Sequence, residues 1–155
     1  MEQQTFSHKQ MASQCFNRVW DFLDKTERSP QEEEQMIHLA HTSFWHWTQV
    51  EDHTPTNLSI GYWQISRVYA VVGNGEQSLF YANRCLEVSL QSEIAPFYIG
   101  YAYEALARAY KILNQKEQSN EAYEKCLDVA EGIIVEDSKK MLLQDLEDIR
   151  EWSLA

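Results

Sequence analysis

The chain has 155 residues, 44% of them hydrophobic, and only three prolines and five glycines; this is enough for one domain with a sizeable core and too poor in breakers for a many-stranded sheet. A formal net charge of −11 excludes a general nucleic-acid or anionic-membrane surface, because a phosphate field repels it. Three cysteines without Cys-x-x-Cys spacing read as reduced core residues, and the lack of a signal-like start or a long apolar run leads us to expect a cytoplasmic protein.

The first amphipathic stretch runs from about Thr5 to Lys25, with Phe16, Val19, Trp20 and Leu23 at helical spacing. Ser29-Pro30-Gln31-Glu32 then supplies an N-cap hydroxyl, a proline at the first helical position and a glutamate at the third, and predicts a second helix to about Val50. Pro55 opens a third helix carrying Leu58, Trp63, Ile65, Tyr69 and Val72, which ends at the turn Gly73-Asn74-Gly75. The fourth covers about Glu76 to Gln91. Pro96 sits in the first turn of the fifth, which reaches about Leu113 and is rich in strong helix formers. The sixth spans about Lys116 to Glu131, with Gly132 expected as its C-cap. The seventh, about residues 137–153, has Leu142, Leu146 and Ile149 on one stripe and a strongly acidic remainder, as a terminal helix with one wet face would.

Residues 62–88 reappear, shifted by 41 positions, as residues 103–129. Nine of the 27 aligned positions are identical: Tyr62/Tyr103, Arg67/Arg108, Tyr69/Tyr110, Glu76/Glu117, Gln77/Gln118, Ser78/Ser119, Cys85/Cys126, Leu86/Leu127 and Val88/Val129. Roughly two would match at average residue usage. A unit of this length cannot bury its apolar face alone and must stack on its neighbours. The chain therefore reads as one all-α domain of about seven helices: an N-terminal pair over about 5–50, repeat units over about 55–92 and 96–132, and the capping helix.

The spacing of aromatic and small residues in both copies resembles the tetratricopeptide motif. Tyr103, Leu106, Ala107 and Tyr110 fall at its first-helix positions, and Ser119, Tyr123 and Cys126 at those of the second; the other copy supplies Tyr62, Ile65, Ser66, Tyr69, Ser78, Ala82 and Cys85. Serine stands where alanine is usual, and the 41-residue offset exceeds the family's 34. From Leu39 onward the chain is also similar to a group of small bacterial proteins, a likeness that brings no catalytic residue or cofactor with it. The tetratricopeptide resemblance implies antiparallel helix pairs in a short right-handed superhelix that holds a protein or peptide partner on its concave face, as a monomer or homodimer.

In such arrays the first helix of each pair lines the inner surface. The inward stripes would be Ile60, Trp63, Arg67 and Ala70 on one helix and Tyr101, Glu104, Arg108 and Lys111 on another, each set on one helical face. Arg67 and Arg108, in register and flanked by Trp63, Tyr101 and Tyr103, form a candidate fork for a carboxylate or phosphate and hence for an acidic segment. The competing reading makes Glu104 and Arg108 an i,i+4 surface pair and Trp63 and Arg67 a local cation–π contact.

Glu34, His38 and His41 occupy i, i+4, i+7 on one face continued by Trp45, a spacing that can present three metal ligands and so allows a metal-dependent enzyme as an alternative. The competing reading packs these histidines beside Trp45 and Trp47 with one nitrogen hydrogen-bonded. No Walker loop, nucleophile elbow or GxGxxG precedes a helix, and no cofactor is implied. A third reading is a self-assembling protein with an apolar edge near Trp152 and Leu154.

Overall fold

A computed structural model describes residues 5–151, which contain seven helices and no strand. They are α1 (His8–Leu23), α2 (Pro30–Gln49), α3 (Pro55–Val71), α4 (Gly75–Gln91), α5 (Pro96–Ile112), α6 (Lys116–Ala130) and α7 (Glu136–Glu151). Trp152 and Leu154, the residues proposed for an assembling edge, lie outside the described chain. The expected all-α architecture is therefore found, and none of the described helices is long and apolar enough to cross a membrane.

Local chemistry sets the helix starts. Ser7 with Gln10, Ser29 with Glu32 and Thr54 with Asn57 each form a reciprocal capping box, and prolines occupy the first turns of α2, α3 and α5. These groups satisfy or remove backbone donors that a helix N-terminus leaves unpaired. The C-termini differ from expectation at one place. Gly132 is not the cap of α6; Glu131 is, and Gly132 lies instead beside the Pro96 ring at the start of α5.

Short connections make successive helices antiparallel neighbours: α1 packs on α2, α3 on α4, and α5 on α6. Each pair then meets the next, through α2 against α3 and α4 against α5, while α3, α5 and α7 lie side by side. Alanines at 102, 105, 107 and 109 and Gly100 let α5 approach its neighbours closely, and all five are buried. A Cβ on Gly100 would come within 2.5 Å of the Leu142 side chain, so the absence of a side chain there brings α7 onto α5. Leu142, Leu146 and Ile149 are fully or almost fully buried against α5 and α6 residues, while Val19, Met36, Ile65 and Val68 form a second cluster under α1 to α3.

The 41-residue repeat recurs in hydrogen bonds. Cys85 Sγ donates to the Ser59 carbonyl and Cys126 Sγ to the Gly100 carbonyl, both at 3.3 Å. Ser78 Oγ donates to the Ser66 carbonyl at 2.9 Å, and Ser119 Oγ to the Ala107 carbonyl at 2.8 Å. Ser66 adds a return bond to the Ser78 carbonyl at 2.8 Å, so the buried hydroxyls of this pair are satisfied within the chain. All three cysteines are buried free thiols, and burial pushes Cys85 and Cys126 up to about 12.

The bend inside each repeat is also reproduced. Gly73 and Asn114, 41 positions apart, carry φ of 84° and 59°, and each is followed by a backbone bond of 2.9 Å back to Tyr69 or Tyr110. Glycine adopts this conformation freely, asparagine tolerates it, and a Cβ-bearing alanine does not. Gly73→Ala is expected to lose about 1–2 kcal/mol of stability, whereas Asn114→Gly should change it by no more than about 0.5 kcal/mol. Urea unfolding of both variants against the unsubstituted chain checks the pair.

Candidate functional site

One wall of the molecule collects side chains from all four odd-numbered helices. Trp20 of α1, Ile60 and Trp63 of α3, Phe97, Tyr98 and Tyr101 of α5, and Met141 and Asp145 of α7 line a cleft of about 340 Å³. The rings hold one another in place: Trp20 stacks on Trp63 at 5.8 Å, Trp63 meets Tyr101 edge-on at 5.5 Å, and Tyr101 meets Phe97 edge-on at 5.1 Å. Such offset and edge-to-face contacts suit the ring quadrupoles. A second hollow of about 280 Å³, bordered by Phe16 and Trp47, shares Ile60 with the cleft and extends it toward α2.

Trp63, Glu104 and Asp145 occupy equivalent places on α3, α5 and α7, each 41 residues from the last. They meet. The Trp63 indole Nε1 lies 3.4 Å from Glu104 Oε2, and the Tyr101 hydroxyl donates to Asp145 Oδ2 at 2.6 Å. Burial, followed by this carboxylate, raises the Tyr101 pKa well above the usual phenol range.

Glu104 is completely buried. Its Oε1 accepts from Arg108 Nε at 3.3 Å and lies 3.7 Å from Arg67 Nη1. The arginines are thus not an open fork. Arg108 keeps 11% of its side-chain surface and Arg67 22%, and both are turned to a carboxylate that the chain itself provides. Burial lowers the Arg108 pKa and the Glu104 charge opposes that shift; one guanidinium nitrogen, Nη2, is buried without a hydrogen-bond partner. Arg67 also lies 5.8 Å from the Trp63 ring centroid. The competing expectation for these four residues is met in part: the cation–π contact and the Glu104–Arg108 pair are present, but the pair is buried and Arg67 joins it from another helix.

The remaining predicted residues separate. Tyr101 is in the cleft wall. Tyr103 faces α6, where Lys125 lies 6.0 Å from its ring, just as Arg84 lies 5.3 Å from the equivalent Tyr62. Tyr103 does not flank the arginines because it sits two residues from Tyr101, about 200° around the helix. Lys111 donates to the Ile149 and Arg150 carbonyls and so binds the last turn of α7, where free carbonyls favour a cation. A hollow of about 620 Å³ beside it is bordered by Ile149 and Arg150.

Glu34 and His38 form an exposed pair 3.5 Å apart, but His41 turns inward and its Nε2 is 2.8 Å from the Tyr69 hydroxyl. No group of three or more metal-ligating side chains occurs among the described residues. Trp45 is 54% exposed, so it does not pack these histidines into the core.

Trp20, Phe97, Tyr98, Met141 and Asp145 were not singled out from sequence. Extending the 41-residue register past residue 129 would have reached Asp145; nothing local marks Trp20. Comparison with protein families found no family model that matches the chain, and comparison with curated proteins found no match.

Two predictions follow from this charge distribution. Glu104→Ala strands two guanidinium groups and is expected to cost roughly 3–5 kcal/mol, while replacing Arg67, Glu104 and Arg108 together by methionine should restore most of it; urea unfolding measures both. Burial, and to a smaller extent His38, lowers the His41 pKa from 6.5. Below that pH the unfolded chain binds a proton that the folded chain resists, so this contribution to stability is complete above about pH 6.5 and is lost as pH falls toward the folded value. The stability difference between about pH 7.5 and pH 5.5 should therefore shrink in His41→Gln, as read from unfolding midpoints at the two pH values.

Proposed function

We propose that the chain is a non-catalytic interaction module of tetratricopeptide-like build. It binds a peptide segment across the face made by α1, α3, α5 and α7, with one side chain of that segment seated in the aromatic cleft. The observation that carries this reading is the convergence of five aromatic rings from three helices on one concavity of about 340 Å³, since ligand sites are mostly apolar concavities with a few placed polar groups. The adjoining hollow that shares Ile60 favours an extended ligand over a compact one. Aromatic anchors in such pockets carry most of the energy of peptide and protein contacts.

The anionic-ligand version of this reading draws its support from Arg67 alone, whose exposed fraction is the larger of the two arginines. Because Glu104 already answers that charge, the cleft is the stronger anchor.

Selection of binders from a displayed random-peptide library against the full chain tests the proposal. Binders are expected to lose at least about tenfold in affinity with Trp20→Ala or Tyr98→Ala and to be indifferent to Lys125→Ala, which lies on the α6 side. Binders that ignore both cleft variants would contradict it; an acidic consensus lost specifically with Arg67→Ala would transfer the anchor to the arginine.

A further inference from the structure

The cleft combines an aromatic wall with one carboxylate, and that pairing has a defined chemical complement. Among the described residues that line it, Asp145 is the only charged one. It forms no ion pair among the described residues, and the single hydrogen bond it accepts from Tyr101 leaves acceptor capacity on a carboxylate that lines the cavity. Arg67 and Arg108 are drawn onto Glu104, and although the Asp145 charge reaches Arg108, no cation of the described residues pairs directly with Asp145.

Side-chain cations already rest on aromatic rings in this fold: Lys25 near Phe22, Arg67 near Trp63, Arg84 near Tyr62 and Lys125 near Tyr103, at 5.3 to 6.0 Å from the ring centroids. The attraction arises from the negative face of the ring and strengthens where water is displaced. Long basic side chains also bring an aliphatic stem that packs on apolar surface while the charged head reaches a polar partner. The net charge of −11 acts in the same direction at long range, favouring encounter with a basic partner.

We propose that the cleft is a socket for the arginine or lysine side chain of a basic peptide segment, with the stem against Trp20, Trp63 and Tyr98 and the head hydrogen-bonded to Asp145. The inference deepens the peptide-binding reading and rests on it. It reverses the charge expected of the partner from sequence, because both arginines that pointed to an acidic segment are paired with the chain's own Glu104 and the one carboxylate left in the cleft wall was not among the residues that pointed there.

The test uses the full, isotopically labelled chain and capped alanine pentapeptides whose central residue is arginine, lysine, citrulline, leucine or glutamate. The indole N–H signals of Trp20 and Trp63 are followed by NMR during titration. Arginine or lysine peptides are expected to shift both signals and to bind at least about tenfold more tightly than the citrulline peptide, the neutral isostere, as a charge-assisted hydrogen bond requires. That preference should fall below about twofold in Asp145→Asn, and higher salt should weaken the cationic peptides but not the leucine peptide. Citrulline equal to arginine, or a preference that survives Asp145→Asn, overturns the inference. Leucine or glutamate binding most tightly at the same indoles overturns it while leaving the peptide-binding module standing; silence from every peptide removes both. Should Asp145→Asn fail to fold, the citrulline comparison and the salt series on the unsubstituted chain still decide.

Discussion

The burial of α5 among α3, α4, α6 and α7 is the constraint on which the remainder of the structure depends. A helix surrounded in this way has room for little beyond glycine and alanine where its neighbours cross, and α5 meets that condition with Gly100, Ala102, Ala105, Ala107 and Ala109. It also carries a carboxylate into a dry place. Glu104 must then be answered from within the protein, and the answer comes from two repeats at once: Arg108 one turn along the same helix and Arg67 at the equivalent position of α3. Removing one partner from such a group is far costlier than replacing the whole group by apolar side chains. The arrangement therefore ties the repeats together in register while drawing both guanidinium groups onto one carboxylate.

The same register builds the wall. Trp63, Glu104 and Asp145 succeed one another at intervals of 41 residues, which places a tryptophan, a buried carboxylate and a cleft carboxylate at equivalent positions of α3, α5 and α7. Tyr101 links the series to Asp145 by its hydroxyl and to Trp63 and Phe97 by its ring. Core packing and the cleft wall are in this way two sides of one helix, with the buried alanines of α5 on the core side.

Helix starts were legible from sequence because their causes are local. Ser29-Pro30-Gln31-Glu32 and Pro55 mark α2 and α3 at the residues where they begin, and α1 starts three residues later than its apolar periodicity implied because Ser7 and Gln10 form the cap. The pairing of repeats was legible because Ser78/Ser119 and Cys85/Cys126 make equivalent buried bonds. The site was legible only in part. Trp63 and Arg67 on one helix and Tyr101, Glu104 and Arg108 on another were placed on inward stripes by helical spacing, and they do gather, but spacing within a helix carries no information about which charges meet across helices. Glu104 looked like half of an exposed i,i+4 pair because Arg67, its other partner, is 37 residues away. Gly132 looked like a cap because its neighbour Pro96 comes from the start of the preceding helix. Trp20 reaches the cleft from outside the repeat, where no periodicity connects it to Trp63.

Native-state hydrogen exchange on the full chain tests the central role of α5 most directly. If this helix is the shared interior of core and wall, its amides from residue 102 to 109 exchange only through global unfolding, at an opening free energy equal to that from urea, while α1 opens at lower cost. Amides of α5 that exchange as readily as those of α1 would contradict the account.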